Sequence, residues 1–347
     1  MSLAAALEGQ ARACDELGSP FTARLCRSLA RVIRPGTALT DRLLGWAGDL
    51  GGSGDSVPLR LTGALHALVL QGSDAGLTAV YPPREAGDAA LDRAVAGALA
   101  RHAGFIDRFI DSPPQTNEVG RSAVLIAAGH FLAARFGLPM ALSELGASAG
   151  LNLNWDRYAL RLGDARLGPR DAALELTPER RGGLPPEAAP EVIERRGVDL
   201  NPIDLGDPAQ RLRLQAYVWP DQPARLDRLR RALALPPAPL DRGDAAAWLE
   251  ARLAGTGPGR LHLVYHTIAW QYFPAETRAA CSAALEAAGA RATAQAPLAH
   301  LAMEADQDGP GAGLTLRFWA GQGPITIPLG RADFHGRWLD WQPQTGA

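Results

Sequence analysis

The residues with the clearest chemical potential lie in one run, Glu144-Leu145-Gly146-Ala147-Ser148-Ala149-Gly150. Glycines at Gly146 and Gly150 let a backbone turn sharply and approach a nucleotide-like ligand, and a helix beginning after them would offer free amides to its polar groups. Acids recur downstream, Asp199 in Arg196-Gly197-Val198-Asp199-Leu200-Asn201-Pro202 and Asp244 in Arg242-Gly243-Asp244-Ala245. Each closes a predicted strand or loop, the edge at which open α/β sheets hold ligands. His266 follows the apolar run Leu261 to Tyr265 and falls at the same edge. His262 and His266 share one strand face by period 2, but a metal site needs a third ligand that nothing nearby supplies, so no metal is expected.

The same turn also spells Gly146-x-Ser148-x-Gly150, the nucleophile elbow of α/β-hydrolases, with Asp306 and His335 following in hydrolase order. Such an elbow belongs to an inner strand with several strands before it. Upstream of Glu144 this sequence offers mostly helices, which argues against a hydrolase.

The elements that must position these residues follow from periodicity. Leu17, Phe21, Leu25, Leu29 and Ile33 form one helical stripe and Leu61, Leu65 and Leu68 another. Further helices are predicted over Ala89 to Ile110 and Val119 to Phe136, the second capped by Thr116 or Asn117. Beyond Gly137-Leu138-Pro139 short apolar runs alternate with helical stretches, the pattern of parallel β/α units. Strands are predicted at Met140 to Leu145, Val192 to Leu200, Leu261 to Tyr265 and Leu298 to Glu304, with helices at Pro223 to Ala234, Ala245 to Leu253 and Ala275 to Ala288. Tyr158 to Leu162, Gly163-Asp164 and Ala165 to Leu167 read as a hairpin. The closing runs Leu314 to Trp319, Ile325 to Leu329 and Trp338 to Trp341 lack intervening helices, which predicts an antiparallel edge on a parallel sheet.

A chain of 347 residues, 47% hydrophobic, can bury a large core. Its net charge of -2 provides no field to gather nucleic acid or anionic lipid, so small molecules or proteins are the expected partners. All 35 basic residues are arginine, which excludes Schiff-base and lysine-nucleophile chemistry. Cys14, Cys26 and Cys281 are odd in number and far from paired metal spacing, which points to a reduced, cytoplasmic setting. Met1 to Gln10 lacks an export pattern and no apolar stretch suffices to span a bilayer, so neither export nor membrane insertion is expected. His66 and Arg60 read as satisfied core residues of an apolar helix. Gln115 to Glu118 reads as a helix cap, with a lid segment reaching over the sheet edge as the alternative, and the late tryptophans Trp319, Trp338 and Trp341 as packing.

The run from Glu144 to Gly150 resembles the first motif of class I S-adenosylmethionine-dependent methyltransferases, with Ser148 where a middle glycine usually stands. The resemblance implies a Rossmann-like methyltransferase fold over 138–347, mostly parallel with an antiparallel C-terminal edge. An N-terminal helical domain over 1–137 would precede it, placed as a lid over the strand ends. It implies that Glu144, Gly146, Ser148, Gly150, Asp199 and Asp244 bind S-adenosylmethionine, with Asp199 accepting from the ribose hydroxyls and Asp244 from the adenine amino group. His266 is the expected base and Tyr272 an orienting hydroxyl. The main departure is distance: Asp199 lies far beyond the roughly 20 residues that separate turn and acid in a simple unit. An insertion near 156–190 accounts for it, unless Asp164 of the hairpin closes the second strand instead. A non-catalytic nucleotide-ligand binding or regulatory protein is the alternative, since fold analogy does not distinguish binding from chemistry. With Pro114 to Glu118, Asp199 to Asp204 and Val218 to Gln222, nearly the whole chain is similar to a bacterial family catalogued as a domain of unknown function.

Overall fold

The structure is a computed structural model that describes residues 1–52, 54–255 and 257–344. Seven helices open the chain: α1 (Leu3–Glu16), α2 (Pro20–Val32), α3 (Ala38–Leu44), α4 (Val57–Leu70), α5 (Ala75–Thr78), α6 (Asp88–Arg101) and α7 (Ala103–Phe109). Their starts follow local chemistry. The Ser2 hydroxyl accepts from Ala5 N–H, Pro20 fills the first turn of α2, and Thr37 and Thr40 form a reciprocal capping box. Phe21, Leu25 and Leu29 of α2 are buried, as the predicted stripe requires. The single helix predicted from Ala89 to Ile110 is broken at His102, whose φ of -113° and ψ of 22° leave the helical region. At the break the buried Asp74 carboxylate bonds Arg101 and the His102 Nε2 at 2.7 and 3.0 Å.

The chain continues through α8 (Ser122–Phe136), β1 (Met140–Leu145), β2 (Ala159–Leu162), β3 (Ala165–Leu167), β4 (Glu175–Leu176), β5 (Glu179–Gly182) and β6 (Val192–Asp199). It then runs through α9 (Pro208–Ala216), α10 (Pro223–Leu233), β7 (Leu240–Arg242), α11 (Ala245–Ala254), β8 (Leu261–Thr267), α12 (Ala275–Gly289), β9 (Leu298–Ala305), β10 (Ala312–Trp319), β11 (Pro324–Ala332) and β12 (Trp338–Trp341). Three 3-10 turns, Val119–Arg121, Leu151–Arg157 and Trp270–Tyr272, interrupt these elements. The first replaces the opening turn of the helix predicted from Val119. Among the described residues no helix is long and apolar enough to cross a membrane.

Two compact units result, Met1–Thr116 with Gly206–Asp227, and Asn117–Leu205 with the described residues from Arg228 onward. In the first, helices α1 to α7 share one apolar core with Ala216 and Tyr217 of the later segment. Gly63 of α4 has no side chain because the Tyr217 ring would meet a Cβ at 2.7 Å. Arg60 and His66 are satisfied there, Arg60 by the carbonyls of Ile110 and Asp55, His66 by Ala216 O. Helix α8 belongs to the second unit, which is a mixed α/β assembly on a large, mostly parallel sheet.

The nine sheet strands lie in the order β5-β12-β11-β10-β9-β8-β1-β6-β7. From β7 to β9 all neighbours are parallel, and β9 to β12 add the antiparallel edge. The chain leaves β1 toward β6 and β7, then returns on the other side of β1 to β8 and β9. That reversal makes the carboxyl end of β1 the topological switch point, the usual ligand position of open α/β sheets. The predicted hairpin forms β2 and β3 of a separate three-stranded sheet with β4, so Asp164 is not at the tip of the strand beside β1. The exposed strand β5 pairs in parallel with β12 at the far edge.

Helix α8 and the 3-10 turn Leu151–Arg157 fit because Gly129 leaves a slot for the Trp155 ring, which a Cβ would meet at 2.3 Å. Trp155 is fully buried. Gly129→Ala is expected to cost about 1–3 kcal/mol through overpacking, measured by denaturant unfolding, while a change within about 0.3 kcal/mol would show that the ring has room to shift.

Candidate functional site

The glycine turn is built by its neighbours rather than by its own sequence alone. Gly146, Ser148 and Gly150 have φ of 69°, 54° and 69°. A Cβ on Gly146 would meet Ala269 Cβ at 2.7 Å, and one on Gly150 would meet Leu240 Cδ2 at 3.0 Å. Both glycines are therefore required for close approach as well as for conformation. Ser148 carries the same left-handed backbone without that licence and is held by bonds on both sides. Its N–H donates to Asp199 Oδ2 at 2.8 Å, and its carbonyl accepts from Ile203 N–H at 3.0 Å. The other Asp199 oxygen accepts from Asn201 N–H at 2.8 Å. Asp199 is half-buried, and a carboxylate has about four acceptor positions, so two remain.

The expected helix after Gly150 is instead a 3-10 turn with a non-helical Asn154. Its first amide, Leu151 N–H, already donates to Asn117 Oδ1 at 2.8 Å. Gly146 and Ala147 N–H both reach Val198 O, and Gly150 N–H reaches Ala147 O. These amides are engaged by β6, by Asn117 and by the turn itself, so none of the four is free to donate to a ligand. The Gln115 to Glu118 segment is part of the same support: Asn117 holds Leu151, and Glu118 Oε1 accepts from Gly120 N–H. Asn152, bonded by the Ser122 hydroxyl, takes the Tyr265 hydroxyl on its carbonyl.

Glu144 lies two residues below Asp199 on the same sheet face, since Glu144 pairs with Gly197 and side chains alternate. Its Oε2 is buried without a partner. Burial, reinforced by the negative charge of Asp199 and opposed by Arg121, pushes its carboxyl well above the ordinary range. Arg121 bridges the Thr267 and Phe334 carbonyls at 2.9 and 3.0 Å, which fixes the end of β8 beside the switch point. Ser148 Oγ is also buried without a partner.

Tyr265, not His266, stands opposite Glu144, so His266 projects from the other face. Its Nδ1 meets Glu304 Oε1 at 2.6 Å, and the same oxygen accepts the N–H groups of Ala269 and Trp270. Burial acts to raise the Glu304 carboxyl, but the His266 bond and those two amides outweigh it and hold it low. Trp270 stacks on the His266 ring at 4.7 Å and 14°, and His300 lies 5.0 Å away. His266 is 2% exposed and its Nε2 lacks a partner. Tyr272, by contrast, is 75% exposed on the adjoining turn, so the aromatic cover comes from Trp270. Nothing in the spacing singled out Glu304 or Trp270, because their roles arise from strand pairing and a turn. Ile268, between β8 and this turn, has φ of 52°, a strained value for a β-branched residue.

Asp244 caps α11, accepting from Ala246 and Ala247 N–H and from the Thr277 hydroxyl. Its structural duty leaves one acceptor position. Asp306 is bound to Arg331 at 2.6 and 3.0 Å, away from Ser148. With no histidine on Ser148 Oγ, the activating bond that a serine nucleophile needs is missing among the described residues.

A carboxyl protonated in the native state and ionised when unfolded makes stability fall as pH rises above about 4.3, the unfolded value. Glu144→Gln removes that penalty. It is expected to stabilise the protein by about 1–2 kcal/mol near pH ~8 and to flatten the dependence, judged by chemical denaturation across pH. Equal or lower stability of the variant at that pH would contradict the assignment.

No curated protein matches the chain. Residues 4–341 match the family described as an uncharacterized protein conserved in bacteria (DUF2332), and the chain belongs to that family.

Proposed function

We propose that this protein binds S-adenosylmethionine at the carboxyl edge of β1 and β6 and transfers its methyl group to a small molecule. The observation that carries the reading is the Asp199 carboxylate, clamped by Ser148 and Asn201 N–H at the switch point with acceptor positions to spare for two adjacent hydroxyls. The strand reversal around β1 supports it, as does the unpartnered Ser148 hydroxyl beside Asp199. Asp199, Gly146 and Gly150 would line the cofactor, Asp244 would have a single acceptor position for it, and Glu144 would stand beneath Asp199 on the same sheet face. Bound S-adenosylmethionine supplies an electrophilic methyl group. The chain's own part is to orient an acceptor and take up its proton. His266 suits the second of these roles, because Glu304 holds a proton on Nδ1 and so leaves the Nε2 lone pair as the base.

One feature favours binding without methyl transfer. His266 lies under Trp270 and is almost fully enclosed, so its use as a base requires the Trp270–Tyr272 turn to move. The two readings separate by product: formation of S-adenosylhomocysteine with an acceptor present supports transfer, and binding with none under any acceptor tried supports a regulatory role.

S-adenosylmethionine is expected to raise the melting temperature, by about 2.7 kcal/mol of stabilisation at about 100 times its dissociation constant. Asp199→Asn keeps one acceptor oxygen for the turn and is expected to weaken binding roughly ten- to a hundredfold in calorimetric titration. Absence of heat and of thermal shift with the unmodified chain would remove the proposal. A fluorophosphonate probe should leave Ser148 unlabelled; stoichiometric labelling there would favour hydrolysis.

A further inference from the structure

The opposite, amino-terminal edge of the same strands holds a cavity of about 400 Å³. It lies on the α11 and α12 face, where Leu298, His262, Ala141 and Glu194 stand on one rung of four adjacent strands. It is remote in sheet position from the glycine turn, and its size is that of a small-molecule pocket. Its lining has two characters. Ala251, Ala288, Ala292 and Ala296 leave apolar space above Leu298, while Arg196, Arg252, Arg260, Glu194 and His262 line the polar side.

The charges do not balance. Arg196 is neutralised by Asp241 through two bonds of 2.6 and 2.8 Å, and Trp248 Nε1 adds a third to that carboxylate. Arg252 and Arg260 both pair with the single Glu194 carboxylate, Arg260 at 2.9 Å. One positive charge is left over. The carbonyl ends of α11 and α12 carry partial negative charge nearby, but Arg291 donates to Leu253 O and Ala287 O and answers both.

The histidine adds a donor. Arg252 Nε–H donates to Ser143 Oγ at 3.1 Å, so the arrangement satisfying all three groups sends the Ser143 proton to His262 Nε2 at 2.8 Å. The His262 proton then sits on Nδ1. Burial first, then the charge of Arg252, pushes its titration down to about 4, so the ring is a neutral donor at neutral pH.

We infer that this cavity is a second ligand site, one that takes a small organic monocarboxylate with an apolar body. The carboxylate supplies the missing negative charge beside Arg260 and accepts from His262, and the body fills the alanine-lined space. Lipid-sized ligands exceed the volume, and polyanionic ones exceed the single uncompensated charge.

The test uses the full chain and three probes: sodium benzoate, its neutral isostere benzamide, and inorganic phosphate. Benzoate is expected to bind saturably by calorimetry and to raise the melting temperature, at least tenfold more tightly than benzamide or phosphate. Arg260→Ala, which leaves Arg252 and Glu194 one to one, should weaken benzoate about tenfold or more. Ala251→Glu places a tethered carboxylate on an exposed helical position lining the cavity, and should abolish benzoate binding with the fold intact. Absence of saturable benzoate binding, equal affinity for benzamide, tighter binding of phosphate, or benzoate affinity unchanged in both variants would each overturn the inference.

Discussion

The hydrogen bond from Ser148 N–H to Asp199 Oδ2 is the contact on which the carboxyl end of β1 depends. It joins residues 51 positions apart and holds a non-glycine residue in left-handed backbone, a conformation that costs on the order of 1–3 kcal/mol. A charged acceptor can offset such a cost, since bonds to ionised groups are roughly twice as strong as neutral ones. The same carboxylate anchors Asn201, and Val198 O receives two amides of the turn. The tips of β1 and β6 thus form one unit, with the glycine turn shaped as much by β6 as by its own residues.

Arginine performs the stapling that keeps this unit rigid. Arg195 on β6 reaches the Leu153 carbonyl, Asn154 Oδ1 and both oxygens of Asp156, tying the 3-10 turn to the sheet. Its planar five-donor fork can serve several acceptors at once in a way an ammonium would not. This pair is mostly buried, whereas exposed pairs such as Arg24 with Asp88 contribute little. Arg121 plays a comparable part beside the switch point by bonding carbonyls at the end of β8 and near β12.

Burial sorts the polar groups of the sheet by face and edge. Glu144 and Asp199 share one face, where desolvation and like charge favour a protonated Glu144. His266, His300 and Glu304 share the other, where one carboxylate gathers a histidine and two amides. His300, half-buried with its Nε2 out of solvent, has its titration driven well down by burial and by the neighbouring His266 and Arg317. Strand alternation alone keeps the acid pair and the histidine cluster apart, so the polar groups near the carboxyl edge lie on two faces of one sheet.

Local pattern determined the elements whose burial is continuous or periodic. Met140 to Leu145 and Trp338 to Trp341 are strands with the boundaries the sequence predicts, and α11, α12 and the antiparallel edge follow the apolar spacing closely. The acid at the exit of the strand beside β1 was legible from the motif it resembles rather than from apolar spacing, because Glu194-Arg195-Arg196 interrupt the strand before Asp199. What tertiary structure decided were matters of pairing. Exposed Glu179–Gly182 has no apolar signal and becomes a strand only because β12 offers an unpaired edge. The apolar spacing carries through His102, but the helix breaks there, where the His102 side chain bonds the buried Asp74. Trp270 covers His266, Glu304 orients it, and Asp199 reaches Ser148 only after strands distant in sequence align in register. Spacing records which residues are neighbours along a chain, while hydrogen-bond partners and electrostatic neighbours across a sheet exist only once the strands have paired.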